Sequence, residues 1–406
     1  MHFVAQECRD NLACLAQRGL RLTSYCSGKG SAETIIAHIA AALQEQGMVS
    51  ASQTFQCRAC VEFDPVAQRV LAAHTGLSSA QHHFGDINDQ VTSTVKATFD
   101  KLEGSSKLRD RASEQRSSDH DNIYDSMKEL LGDMGKAALT ERAFCHKHGT
   151  QCLLFEAQTD KQAPLQVVVA GNPCRDWSRR GKQLRMAGQT ARPWHIFVAQ
   201  IRANAESIDI VLCELTDCVP ESLYRESFGD LFVLCSSVVS PKTLGYPMSR
   251  PRRYTIMVNA HRCSTTGSFQ ALMDMFCTKP QFPASDYFMA PRIQVQSTRA
   301  QLARKRGHVF AAGQDVPDEF LLSPSAFRRL QEWQELLASR PDKHDLLWDF
   351  GQNPGFSLCG PCVPTLTESS GCQIFGVAAN REMIALEHMS TMGQHSGTKP
   401  AAPLTE

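Results

Sequence analysis

Short apolar runs alternate with amphipathic stretches from residue 20 to about residue 260, a pattern that predicts parallel βαβ units. Leu20-Arg21-Leu22-Thr23 reads as a strand, Ser27-Gly28-Lys29-Gly30 as a Gly-rich turn, and 31–46 as a helix. Cys60-Val61-Glu62-Phe63 reads as the next strand, 65–74 as a helix, and Gly85-Asp86-Ile87 as a third strand end. The pattern breaks over 101–122, which is charged, Ser-rich and nearly free of large apolar residues. That composition predicts a solvated, mobile segment inside a longer insertion, 90–165, with one amphipathic helix within 123–142. Alternation resumes with a strand at 166–170, a helix at 194–205, and strands at 208–213, 231–239 and 254–258. Together these predict an α/β, doubly wound, Rossmann-like domain over 19–260, preceded by a lead-in at 1–18. Periodicity weakens after Ala260, where Pro, Gly and polar residues accumulate, so a smaller domain is expected over 261–360. A return to the first domain at 361–394 and a disordered tail at 395–406 complete the expectation.

Composition narrows this picture only a little. The chain has 406 residues, 42 % of them apolar, enough to bury a sizeable core. Lys plus Arg and Asp plus Glu both number 42, so the zero net charge gives no global nucleic-acid signal. No run of eighteen apolar residues occurs, and no membrane partner is expected. Sixteen irregularly spaced cysteines without a secretory leader read as reduced thiols in an intracellular compartment, nuclear if the source is a eukaryote. Three groups have zinc-like spacing: Cys57/Cys60, Cys145/His148/Cys152 and Cys359/Cys362. Cys60 falls on a strand as a core residue, and the other groups would have to converge through the fold, so no metal site is expected.

Candidate chemistry concentrates where strands end. Gly171-Asn172-Pro173-Cys174-Arg175-Asp176-Trp177-Ser178 follows the apolar run Val167-Val168-Val169-Ala170. A cysteine past a buried strand and near a helix start sits where unpaired N–H groups favour the thiolate, the nucleophilic form. The plain alternative is a small apolar core residue. Glu214 closes the run Ile210-Val211-Leu212-Cys213; it reads as a desolvated proton donor in the ligand crevice or as a helix N-cap. Arg250 and Arg252 share one face ahead of the strand at 254–258 and Arg253 takes the other, or the run is a solvated basic loop. Gly28 and Gly30 allow a ligand near the backbone, and Glu62 and Asp86 at the next two strand ends can accept from a ribose and an adenine amine.

The ordered series S-G-K-G, VEFDPVAQ, GDI, GNPCRDWSRRGKQ, CELTD and GYPMSRPRRY resembles the DNA (cytosine-5) methyltransferases. PTLTESS and REMIALEHMSTMG resemble a further segment of that family. The resemblance covers about 20–260 and 361–394 and implies an S-adenosylmethionine-dependent methyltransferase fold with an inserted recognition domain. It implies that Cys174 attacks carbon 6 of cytosine, Glu214 engages ring nitrogen 3, and Arg252 braces the base and Glu214, with Arg250 matching the first arginine of the same motif. Gly28, Gly30, Glu62, Phe63, Asp86, Ile87 and Pro173 would surround S-adenosyl-L-methionine. Ser178 and Gly181 would lie in the loop closing over a flipped base. The implied partner is duplex DNA; the alternatives are cytosine in RNA such as transfer RNA, or a catalytically silent DNA-binding or regulatory relative.

The chain departs from the family at several positions. Ser24 and Cys26 stand where the family prefers Asp and Phe, Asn172 replaces a Pro, Leu215 an Asn, and Met248 a Gln. No G-N-S segment follows Gly393. In the second domain, 290–310 carries Arg292, Arg299, Arg304, Lys305 and Arg306 with no acidic residue, which fits phosphate contacts or a solvated loop.

Overall fold

Leu20–Tyr25 (β1) and Phe55–Val61 (β2) are buried along nearly their whole length, as parallel strands covered on both faces must be. They belong to a computed structural model that describes residues 17–48, 55–110, 118–156, 160, 163–178, 183–263, 268–311, 313–340, 345–351, 359–365 and 373–391. Ser31–Glu45 (α1) connects the two strands. Pro65–Ala72 (α2) follows β2, started by Pro65 in its first turn and by Asp64, whose carboxylate accepts from Ala67 N at 2.7 Å. The chain then enters His82–Phe84 (β3).

The insertion is built rather than loose. Ser93–Asp110 (α3) and Ser118–Met134 (α4) are helices, so 101–110 is helical where a mobile segment was expected; 111–117 lies outside the described residues. Val95 and Phe99, one turn apart on α3, are buried with Tyr124, Met127 and Leu131 of α4 in the main core. A single apolar stripe on otherwise charged helices is enough for that burial, and average composition conceals it. Arg142–Cys145 (β4) and Thr150–Leu153 (β5) then form an antiparallel hairpin that the sequence pattern does not announce.

The remaining elements are Leu165–Ala170 (β6), Ala191–Ala203 (α5), Ile210–Thr216 (β7), Glu221–Phe228 (α6), Phe232–Val239 (β8) and Arg252–Asn259 (β9). The nine-stranded sheet runs β5-β4-β3-β2-β1-β6-β7-β9-β8. Strands β3, β2, β1, β6 and β7 are mutually parallel, while β9 is antiparallel to β7 and β4 to β3. Strand order reverses between β1 and β6, and in such sheets ligands bind beyond the carboxyl ends at that reversal. Trp194 and Phe197 of α5 pack on Tyr224 and Phe228 of α6 with ring centroids 5.4–6.2 Å apart, closing one face of the core.

His195 lies in that same buried helix, and burial pushes its pKa down to about 4. The folded chain therefore holds His195 neutral between about pH 4 and its ordinary value of 6.5, where the unfolded chain binds a proton. Stability rises with pH through this window and is lost as the pH falls from 6.5 toward 4. We expect His195→Gln to flatten the fall in melting temperature across that window; equal slopes in both proteins would contradict the assignment.

The chain divides into two compact units, 1–238 with 252–271, and 239–251 with 272–406. The second contains a small sheet of Leu347–Asp349 (β10), Cys359–Gly360 (β11), Ile374–Gly376 (β12) and Arg381–Glu382 (β13), ordered β11-β10-β12-β13. Trp348 of β10 stacks on Trp333 of the helix Pro324–Ala338 at 5.8 Å. Because β12 and β13 pair within this sheet, 373–391 groups with 272–351, although 361–394 was expected to rejoin the first domain. The expected tail, 395–406, lies outside the described residues.

Candidate functional site

The carboxyl ends of β1, β2 and β3 carry the first half of the site. After β1 the chain turns through Cys26, Gly28 and Gly30 with φ of 52°, 55° and 82°, a left-handed run that glycine accepts without strain. A side chain on Gly30 would strike the ring of His74 at 2.4 Å, whereas the space beside Gly28 is open. Glu62 follows β2, almost fully buried; its Oε2 accepts from Gly28 N at 2.7 Å and its Oε1 from Asp64 N at 2.9 Å. The carboxylate thus fixes the turn while each oxygen retains a further lone pair. Asp86 follows β3 and accepts from Asn88 N at 2.9 Å, capping a single helical turn. Phe63 is largely exposed beside Glu62, and Ile87 is buried in the main core.

Ser24 and Cys26, two positions that depart from the resemblance, lie at the end of β1 and just beyond it. Ser24 hydrogen-bonds the carboxyl of Glu33, a fully buried residue in the first turn of α1. The acidic group expected on β1 is therefore supplied by the next helix. Burial raises the Glu33 pKa, with the Ser24 bond opposing the shift. Cys26 sits where an aromatic residue was expected, and burial next to the Glu62 and Asp86 carboxylates pushes its thiol up to about 12. It stays protonated at neutral pH and does not compete as a nucleophile.

The second half follows β6 and β7. Register pairs Ala170 with Cys213, which sets Gly171 beside Glu214; a Cβ on Gly171 would lie 3.9 Å from Glu214 Oε2 and 3.4 Å from the Cys26 carbonyl. Pro173 and Cys174 are half-buried just beyond. Cys174 starts a turn: its carbonyl accepts from the N–H groups of Trp177 and Ser178, both at 3.0 Å, and among the described residues the next α-helix is Ala191–Ala203, after a single 3-10 turn at Arg185–Ala187. The helix N-terminus expected beside the thiol is absent from the described residues. What holds this loop is Asp176, buried, accepting from Thr190 N at 3.0 Å and Thr190 Oγ1 at 2.9 Å. Sequence reasoning passed over Asp176. Ser178 Oγ donates to Arg175 O at 3.2 Å, and Gly181 lies outside the described residues.

Strand β7 continues to Thr216, so Glu214 lies within it and not at its end. Its carboxylate is a third exposed and engaged by Arg252 Nε at 2.9 Å, an ion pair rather than the desolvated carboxyl or N-cap of the sequence expectation. Antiparallel register pairs Glu214 with Tyr254 and Thr216 with Arg252, which puts Arg252 diagonally across the same face. Arg253 points the other way, donating to Val219 O at 2.6 Å and Ser236 Oγ at 3.1 Å. Leu215, in place of an Asn, also turns from the site and is buried in the core. Arg250 precedes β9 and belongs to the second unit, where its N–H bonds Ser240 Oγ at 3.1 Å.

In the second unit, Arg292 pairs with Asp315 at 2.8 Å, and Arg299 is held by Asp318 and Glu382. Arg304, Lys305 and Arg306 are exposed at and just beyond the C-terminus of the helix Arg292–Lys305, where cations suit the helix dipole. Cys145, His148 and Cys152, expected to lie apart from further ligands, converge with His82 around β3, β4 and β5 at the far edge of the sheet, with β2 and β1 between them and β6.

Whether S-adenosylmethionine fits is tested by the polar groups around the turn. Glu33 Oε2 and Asn172 Nδ2 are buried without a hydrogen-bond partner, an arrangement proteins seldom tolerate unless something else satisfies it. With the open space at Gly28, Glu33 in the first turn of α1, and Glu62 and Asp86 at two successive strand ends, the donor and acceptor set suits an adenosine bearing an amino acid.

Strand order, the antiparallel strand β9 beside β7, and a Gly-rich turn at the reversal define a doubly wound, Rossmann-like α/β fold. Among solved structures the chain is similar to S. pombe Dnmt2 methyltransferase, at 12 % identity and a TM-score of 0.35 over 72 % of this chain and 67 % of that one. It is also similar to the Entamoeba histolytica methyltransferase EhMeth, at 12 % identity and 0.33 over 73 % and 68 %. No family model and no curated protein matches.

Proposed function

We propose that this protein transfers a methyl group from S-adenosylmethionine to carbon 5 of cytosine in a polynucleotide, with RNA as the favoured substrate. The observation that carries the reading is the Glu214–Arg252 pair set by register beside Gly171, three residues ahead of Cys174. A thiolate at Cys174 would bond to carbon 6 while the electron pair moves to carbon 5 and Glu214 engages ring nitrogen 3. Arg252 holds Glu214 in register for that contact. Bound S-adenosylmethionine would supply the electrophilic methyl group. Loss of the carbon 5 proton and of the Cys174 sulfur would then restore the aromatic ring.

RNA is favoured on the cost of reaching the base. A cytosine already unstacked in an RNA loop spares the few kcal/mol needed to flip one from a duplex. Arg292 and Arg299, expected on phosphates, are paired instead with Asp315, Asp318 and Glu382 and favour neither nucleic acid. Side by side, a transfer-RNA pool should be methylated at least about tenfold faster than duplex DNA, a difference of roughly 1.4 kcal/mol in the barrier. Faster methylation of DNA would reverse the substrate assignment. A catalytically silent relative is the second reading, favoured by the Glu62 oxygens already accepting backbone N–H groups; it predicts no calorimetric binding of S-adenosylmethionine at millimolar concentration.

A further inference from the structure

We propose that His82, Cys145, His148 and Cys152 form a structural zinc site that staples the inserted hairpin to the edge of the parallel sheet. One potential ligand atom from each of the four residues lies within 4.8 Å of all the others. Cys145 Sγ and His148 Nδ1 are 3.5 Å apart, and His148 Nδ1 and Cys152 Sγ 3.3 Å. Tetrahedral zinc, with bonds of about 2.3 Å to sulfur and 2.0 Å to nitrogen, places neighbouring ligand atoms about 3.3–3.8 Å apart. The described separations already have that size.

The backbone explains the convergence. Register pairs Phe84 of β3 with Cys145 of β4, and Ala143 of β4 with Cys152 of β5. Alternation then puts His82, Cys145 and Cys152 on one face of three adjacent strands. His148 comes from the hairpin turn, which closes with Gly149 at φ 65° and folds back through His148 N and Gly149 N onto the Cys145 carbonyl. His83 N donates to Cys145 Sγ at 3.3 Å, the kind of backbone bond that supports a thiolate ligand. Nδ1 of His82 is buried without a hydrogen-bond partner.

Donor chemistry selects the ion. Two thiolates and two neutral imidazoles around a divalent cation give a site of no net charge, cheap to bury, and the mixed sulfur–nitrogen tetrahedron favours zinc. Binding releases the two thiol protons to solvent. With four protein ligands no position is left open for water, so the site is structural and does not depend on methyl transfer. Its reach nonetheless extends to the candidate cofactor site. His146, inside the stapled turn, comes within 3.1 Å of a Cβ placed on Gly85 and lines a cavity of about 120 Å³ with Glu62, Gln68 and His83.

The test uses the full chain, purified under reducing conditions, with metal measured by elemental analysis and by cobalt substitution. The expected result is about one zinc per chain, falling below about a tenth in Cys145→Ser/Cys152→Ser and unchanged in Cys277→Ser, an exposed thiol outside the cluster. Cobalt added to stripped wild-type protein should give tetrahedral visible bands and thiolate-to-metal charge transfer, a readout that does not require the variants to fold. Zinc should also raise the melting temperature of the stripped protein by several degrees. Reduced wild-type chain that takes up neither metal, or octahedral cobalt without charge transfer, would overturn the proposal. So would a Cys145–Cys152 disulfide in protein kept under reductant.

Discussion

Cys174→Ser is expected to lower methyl transfer to cytosine by about 10³-fold or more while leaving S-adenosylmethionine binding within about twofold of wild type. A hydroxyl is far less acidic than a thiol, so little of the nucleophilic anion forms at neutral pH. The two readouts must separate. Cys174 follows β6 at the strand reversal, whereas the residues proposed for the cofactor, Pro173 apart, follow β1, β2 and β3. Loss of both together would mean that the substitution collapses the loop held by Asp176 and Thr190, and the nucleophile would then need another test. Retained turnover would remove Cys174 from the chemistry altogether.

Glu214→Gln should be the next most damaging change, lowering kcat by about 10²–10⁴-fold, the usual contribution of a positioned acid or base. Gln keeps the size of Glu214 and one acceptor oxygen for Arg252, so the loss of stability should stay within about 3 kcal/mol for a half-buried pair. Arg252→Ala acts through Glu214 and should cost less in kcat than Glu214→Gln, with partial recovery in Arg252→Lys. An unchanged kcat in Glu214→Gln would leave the Glu214–Arg252 pair as a brace between β7 and β9 and nothing more.

Strands β1, β6 and β7 were legible because each is largely a short apolar or β-branched run, the pattern that burial on both faces favours. Strand β2, with Gln56 and Arg58 inside it, reads at 60–63 although it spans Phe55–Val61, and only the positions just past β2 and β3 were placed. The alternation of Arg252 and Arg253 was also legible, since a strand's side chains alternate whatever lies beyond them. Pairing across strands was not. Glu214 read alone is a strand-end carboxylate; only the register between β7 and β9 brings it to Arg252. The insertion misled through its average: Val95, Phe99, Tyr124, Met127 and Leu131 form a stripe too sparse to offset the charges around it.

The helix start expected after Cys174 illustrates a different limit. Pro173 and the polar residues beyond it are compatible with a helix, yet Asp176 finds Thr190 and holds the segment as a loop. The metal cluster was hidden twice over. His82 is distant in sequence from Cys145, and β4 and β5 fall in a stretch read as an inserted, largely solvated region. Cys145, His148 and Cys152 alone supply three of the four ligands a closed site needs.

The central claim is that the Cys174 sulfur bonds to carbon 6 of the target cytosine. The most direct measurement uses RNA carrying 5-fluorocytosine, where methylation at carbon 5 leaves no proton to remove and the enzyme cannot eliminate. With S-adenosylmethionine present, the account predicts a denaturant-resistant protein–RNA adduct mapped to Cys174 by peptide mass analysis and absent in Cys174→Ser. Methylation of ordinary cytosine RNA without any such adduct, or an adduct on another residue, would contradict it.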